Sequence, residues 1–196
     1  ITTTKNGYSF KTNDLYYVAD KRTLESNSAV EMLGPRDNRG EGFVLNGIGY
    51  QILISQHVMN ILAHVEAKKM IDGKDFNITS EKAEFYNQIN EAYFNGNTLM
   101  TYGNIKTSSP EARFHYSVEQ KNLERIVLQN KVKLVEQDKI ATCKLLEIDL
   151  VNDKMTLKGS PKVQMGDDQI VGSEIVFLEG GKKVNINNAT ATSTRN

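Results

Sequence analysis

Hydrophobic and polar residues alternate in short runs along most of this chain, as in Tyr8-Ser9-Phe10-Lys11-Thr12, Lys131-Val132-Lys133-Leu134-Val135 and Met155-Thr156-Leu157. Alternation at period two places one set of side chains on each face of a β-strand. Apolar stripes at the three-to-four spacing of a helix are few. The alternating runs also repeat. One apolar column holds Tyr17, Ile52, Phe85, Phe114, Ile148 and Phe177, at steps of 29 to 35 residues. Two residues before each anchor lies a second column: Leu15, Tyr50, Ala83, Ala112, Leu146 and Ile175. Five residues before each anchor lies a small or short side chain: Thr12, Gly47, Ser80, Ser109, Cys143 and Gly172. Two residues earlier again sit Phe10, Leu45, Ile78, Thr107, Ala141 and Ile170.

Each anchor is followed by a polar turn cluster, a returning run of alternating residues and a Gly/Asp/Asn corner. Asp72-Gly73, Gly103-Asn104 and Gly166-Asp167-Asp168 are such corners. Each unit of about 32 residues therefore reads as strand, turn, strand, corner. One unit cannot bury its apolar face alone, but stacked units share a continuous core. The pattern predicts an all-β, elongated, antiparallel folded-over sheet of about six hairpin units. The hairpin turns argue against a parallel β-helix, which has no need of them. Residues 187–196 read as a polar tail. The array is expected to expose strand edges within residues 8–18 and within Ile170–Ile186, and to associate head to tail through them.

Composition narrows the function. Lys+Arg and Asp+Glu are both 24, so the formal net charge is zero, without the basic excess of a nucleic-acid binder. No apolar run reaches the roughly 18–20 residues of a membrane-spanning helix. The nineteen Asn residues favour tight turns and left-handed backbone. The single cysteine, Cys143, occupies the small-residue column and reads as structural, because no histidine stands near it in the chain. His57, His64 and His115 have no metal-ligand or triad spacing. The Gly34–Gly42 run lacks the Gly-Lys-Ser/Thr ending of a phosphate-binding loop. Acidic pairs at Asp72–Asp75 and Asp167–Asp168 fall at repeat corners, where turn chemistry explains them. No cofactor, metal or catalytic residue is expected.

Several stretches resemble the periplasmic lipopolysaccharide-transport proteins of the OstA-like superfamily. Residues 122–132, 155–168 and 169–175, with the strand Phe76–Phe85, are similar to LptA repeats. Asp14-Leu15-Tyr16-Tyr17, residues 30–35, Gly40-Glu41-Gly42 and residues 61–65 are closer to the C-terminal part of LptC. The resemblance implies an LptC-like part over residues 1–67, running without a linker into an LptA-like part over residues 68–186. It further implies a β-jellyroll with an open seam. Through that seam, lipopolysaccharide acyl chains would pass from the inner to the outer membrane. The implied partners are lipopolysaccharide and the other bridge components, docked end to end: the inner-membrane transporter complex and the outer-membrane translocon. The implied location is the periplasm, with an anchor upstream of this chain.

The expected groove-wall residues are Phe10, Leu15, Tyr17, Leu45, Tyr50, Ile52, Ile61, Ile78, Phe85 and Phe94. In the second half they are Met100, Phe114, Leu128, Val132, Leu134, Ile148, Leu157, Val163, Ile170 and Phe177. The same residues also fit plain core, because an acyl chain is as apolar as a core side chain. A polysaccharide-active β-helix enzyme would need carboxylates in register on adjacent rungs, and no such column exists. A structural β-stalk is a third reading.

Overall fold

The computed structural model describes residues 2–3, 9–34, 36, 42–119, 122–188 and 190–193. The Tyr8 position and most of the Gly34–Gly42 run therefore lie outside the described residues. The described residues form one antiparallel sheet of 18 strands with a single short 3-10 turn, Ile54–Gln56. In chain order the strands are β1 (Thr2–Thr3), β2 (Ser9–Thr12), β3 (Tyr16–Val18), β4 (Thr23–Leu33), β5 (Val44–Leu53) and β6 (Val58–Ile71). They continue as β7 (Lys74–Ser80), β8 (Lys82–Tyr86), β9 (Glu91–Tyr102), β10 (Ile105–Tyr116), β11 (Leu123–Glu136) and β12 (Lys139–Asp149). The last six are β13 (Lys154–Lys158), β14 (Lys162–Met165), β15 (Asp168–Val171), β16 (Glu174–Leu178), β17 (Lys183–Asn187) and β18 (Thr190–Ser193).

The sheet is folded along its length into two facing walls. The first wall runs β3-β4-β5-β6-β8-β9-β10-β11-β12-β13-β16-β17. The second runs β1-β2-β4-β5-β6-β7-β9-β10-β11-β12-β14-β15-β18. Long strands such as β6 and β11 belong to both walls and bend between them. Elsewhere the chain is broken at the bend into two short strands, as with β7 and β8.

The repeat columns are cross-strand rows of this sheet. On the first wall one row runs Tyr17, Leu24, Ile52, Met59, Phe85, Ala92, Phe114, Ile126, Ile148, Met155, Phe177 and Val184. On the second wall Phe10, Met32, Leu45, Ala67, Ile78, Met100, Thr107, Leu134, Ala141, Val163 and Ile170 form another. Both rows face inward, and their central members belong to one hydrophobic cluster. Each fully buried side chain of Leu or Phe size contributes about 1.5–3 kcal/mol relative to exposure.

The small-residue column marks the bend. Ser80 and Ser109 are nearly buried there, and each donates its hydroxyl to the carbonyl two residues on, Lys82 O and Glu111 O, at 2.8 Å in both cases. Pro110 follows Ser109 at a break in register, where a missing N–H leaves no ladder bond unmade. The returning strands bend at residues with left-handed backbone: His64 (φ 53), Gly96 and Asn97 (φ 81 and 45), Asn130 and Lys131 (φ 62 and 59), and Gly159 and Ser160 (φ 78 and 60). Such conformations kink a strand and let it cross from one wall to the other.

Three expectations need correction. Leu15 and Tyr17 are 49% and 59% exposed, not interior. They stand at the first end of the array, where β3 pairs only with β4 among the described strands, so no earlier unit covers them. The expected polar tail is partly strand: Thr190–Ser193 pairs with β15, and Asn187 closes β17. The pairing partner supplies the order here, since the sequence Thr190–Ser193 holds no large apolar residue that would mark it as a strand. Among the described strands the outermost are accordingly β1 and β3 at one end and β17 and β18 at the other. Val176, within the span expected to form the last edge, pairs on both sides, with Thr156 and Asn185.

At Gly47 a methyl group would collide with Ile61 Cγ2 and sit 3.3 Å from the Ala63 carbonyl oxygen. Gly47→Ala is therefore expected to destabilise the protein by about 1–3 kcal/mol through overpacking at the bend, read as a lower urea midpoint with an unchanged slope.

Candidate apolar groove

Opposite the bend, the turns of the two walls face each other across an open side. Between them lies a cavity of about 540 Å³. That is within the roughly 300–1,000 Å³ typical of small-molecule sites. Its depth is lined by Phe10, Met32, Leu45, Ala67, Ile78 and Phe94. Ile52, Met59, Phe85 and Phe114 come from the first wall. One lip carries Ile54, His57, Tyr86, Asn87, Asn90 and Tyr116; the other carries Arg36, Phe43, Lys68, Lys69, Ile71 and Phe76.

Aromatic rings link the walls. Phe76 on the second wall meets Phe114 on the first edge-on at 5.7 Å between ring centres. Phe114 in turn lies 4.8 Å from Phe94, and Phe94 packs edge-on to Phe85 at 6.1 Å. All four rings also line the cavity, so these contacts are part of its wall. Such ring pairs add about 0.5–1.5 kcal/mol beyond their buried area.

The sequence-expected wall residues divide into three groups. Phe10, Leu45, Ile52, Ile78, Phe85, Phe94 and Phe114 line the cavity. Tyr50, Ile61, Met100, Leu128, Val132, Leu134, Ile148, Leu157 and Val163 are buried in the same interior but outside the cavity lining, with Ile170 and Phe177 partly buried against it. Leu15 and Tyr17 are on the surface. Sequence reasoning missed Met32, Met59, Phe43, Phe76 and the lip cations. The signal was present: Phe43 and Phe76 stand two residues before Leu45 and Ile78, one step further along the same inward alternation.

The polar groups near the groove do structural work. One residue off the inner row, on the outer face of the first wall, Glu91 is almost buried. It accepts hydrogen bonds from Arg113 Nε at 2.9 Å, Arg113 Nη2 at 2.5 Å and the Tyr93 hydroxyl at 2.5 Å, with His115 Nδ1 at 3.0 Å. The Arg113 guanidinium holds the Glu91 carboxyl below the usual carboxylate range, while burial and then the Arg125 charge push the His115 imidazole down. This network ties β9 to β10, and its polar atoms are spent on each other. Among the described residues no cluster of three or more His, Cys, Asp or Glu is placed to hold a metal ion.

The sequence profile of the family described as LptA/(LptD N-terminal domain) LPS transport protein matches residues 77–180, more than half of the chain. The chain belongs to this family. Its folded-over sheet is similar to the crystal structure of LptH, the LptA homologous periplasmic component of the lipopolysaccharide transport device from Pseudomonas aeruginosa. The TM-score is 0.55 at 14% identity, over 61% of this chain and 95% of LptH. That likeness bears on the fold. No curated protein sequence matches significantly. The LptA/LptD N-terminal family is a transport family and not an enzyme family.

Cys143 fits that assignment. Burial pushes its thiol up to about 11, against backbone hydrogen bonds at Leu145 and Lys158 that act the other way. The thiolate is therefore scarce at neutral pH. Iodoacetamide at pH 8 is expected to leave Cys143 unmodified in the native protein and to alkylate it in urea, scored by intact mass. Rapid labelling of the folded chain would contradict the buried thiol.

Proposed function

We propose that the protein is a segment of the periplasmic lipopolysaccharide bridge. In this reading it holds lipopolysaccharide acyl chains in the apolar groove and passes them along the interior, from inner membrane toward outer membrane. The observation that carries it is the cavity: an apolar floor, open on one side between two lips, in a chain of the LptA/LptD N-terminal family. Each methylene removed from water there is worth about 0.8 kcal/mol. A groove that binds reversibly supplies a path; the drive comes from elsewhere in such a machine. Residues 1–67 serve as the LptC-like part and residues 68–186 as the LptA-like part. The fully lined sites, Phe10, Leu45, Ile52, Ile78, Phe85, Phe94 and Phe114, are where chains bind first. The buried residues further along become wall when the interior opens.

Photo-reactive residues placed at Ile52 or Phe85 are expected to capture lipopolysaccharide while the transport machine runs, and one at the turn residue Asp153 is not. Equal capture at all three would remove the groove from the account.

The ends of the array supply the second half of the proposal. On the first wall the inward row reaches Val184 of β17, which is 43% exposed and pairs only toward β16 among the described strands. At the other end of the same row stands Tyr17 of β3, which pairs only toward β4 among the described strands and is also exposed. Both ends thus present unpaired backbone together with apolar side chains that continue the groove, so a neighbouring component or a second copy would extend both the sheet and the path. Such contacts join unlike surfaces and need not close. Light scattering over a concentration series is expected to show end-to-end growth, reduced in Val184→Lys and in Asn185→Pro. A chain that stays monomeric throughout, with both variants identical to it, would refute association through these edges.

A further inference from the structure

The outer faces of the two walls carry charge differently in the later units. On the first wall, basic and acidic side chains answer each other across the strands. Arg113 meets Glu91, Arg125 lies 3.5 Å from Glu147, Lys158 lies 3.6 Å from Glu174, and Lys154 stands in register with Asp149. On the second wall, alternation with the buried Thr107, Leu134, Ala141 and Val163 turns two other rows outward. One runs Ser108, Lys133, Thr142, Lys162 and Val171. The next runs Lys106, Val135, Ile140, Gln164 and Gln169. Neither row holds an Asp or Glu. Lys131 and Lys144 border them at the bend, and all five lysines are exposed. Among the described residues no ion pair joins any of the five to a carboxylate. At the bend Glu111 accepts a hydrogen bond from Asn130 Nδ2 at 2.6 Å. In a chain whose charges balance at 24 against 24, this is a local positive field and not a general excess.

The kind of cation narrows the partner. Every one is a lysine, while Arg113 and Arg125 of the same strands make directed pairs on the first wall. Arginine's rigid fork suits shaped protein interfaces, where lysine is depleted. Lysine is a compact charge on a flexible stem, suited to anions that have no fixed arrangement. Lys133 and Lys162 flank Thr142 on adjacent strands, so their backbones stand about 10 Å apart. Val135, Ile140 and Val171 lie among the lysines, with Ile140 40% exposed. Lysines interspersed with aliphatic side chains combine charge attraction with shallow apolar contact, the two forces that hold a protein on an anionic membrane surface.

We propose that the outer face of the second wall, from β10 to β15, docks on the surface of a lipid bilayer that bears anionic headgroups. The proposal goes beyond the groove reading and does not depend on it. None of the five lysines lines the cavity, and Lys106, Lys133 and Lys162 face away from the interior. Docking through this face leaves the open side between the lips uncovered.

The full chain would be floated with vesicles of phosphatidylcholine alone and of phosphatidylcholine mixed with phosphatidylglycerol. It is expected to float with the mixed vesicles only, and less as salt rises. Joint substitution Lys133→Gln and Lys162→Gln is expected to weaken binding about fivefold for each lysine removed. Lys133→Arg with Lys162→Arg retains it, and Lys154→Gln on the first wall leaves it unchanged. Circular dichroism and urea midpoints confirm that the variants fold. An environment-sensitive dye on Thr142→Cys is expected to shift to the blue on mixed vesicles, and one on Asn185→Cys of the first wall is not. No flotation with mixed vesicles, equal flotation with both kinds, an equal loss in Lys154→Gln or an equal dye shift at both positions would overturn the docking face and leave the groove standing. Short-chain phosphatidylglycerol, kept below micelle formation, is expected not to compete. Competition that abolishes flotation would identify a site for a single lipid molecule and overturn surface docking.

Discussion

The structure depends on a single constraint: the inward positions of every strand must stay in register through the bend. Side chains alternate with period two, so a slip of one residue anywhere would turn a strand's apolar set outward. The rows run unbroken from Ile52 to Phe177 on one wall and from Phe10 to Ile170 on the other. They do so although breaks in register occur at the bend, as between Asn46 and Ile48 or Gln129 and Val132. The outgoing strand contributes a small residue there, and the returning strand contributes left-handed backbone. The bend thereby absorbs the irregularity and leaves both walls regular.

The groove is a consequence of that regularity. Two walls joined along one side are free to part along the other. In the units between Phe10 and Leu123 they enclose a cavity, while the aromatic contact of Phe76 with Phe114 brings them together. Beyond it, Leu128, Leu146 and Leu157 are fully buried. Cavity and packed core thus share one continuous interior. The outer-face network of Glu91, Arg113, Tyr93 and His115 joins β9 to β10 beside the Phe76–Phe114 contact, so this strand pair is also held laterally.

Repetition also explains why the ends differ from the middle. Interior anchors such as Phe114 have a neighbour on each side, and Tyr17 and Val184 have one. The same residue type at the same register is core in one place and surface in the other. Exposure of these apolar side chains is therefore set by how many paired neighbours a strand has among the described strands, and not by residue type.

The sequence by itself determined the all-β repeat, the inward columns and the position of the bend. Those features are local: alternation, small residues and turn-forming Asn and Gly act within a few residues, so they are written in each unit. The columns deduced from spacing are rows of hydrogen-bonded neighbours, from Ile52 through Phe177 and from Leu45 through Ile170. The tertiary structure decided what spacing could not carry. The strand Thr190–Ser193 holds no large apolar residue and is recognised only by its pairing with β15, and the exposure of Leu15 and Tyr17 follows from β3 pairing with β4 alone among the described strands. The division of eighteen of the twenty expected apolar residues into cavity lining and packed interior depends on how the two walls meet, which no single residue encodes. The same holds for Lys69: alternation gives its side, but only the facing wall turns that side into the lip of a cavity.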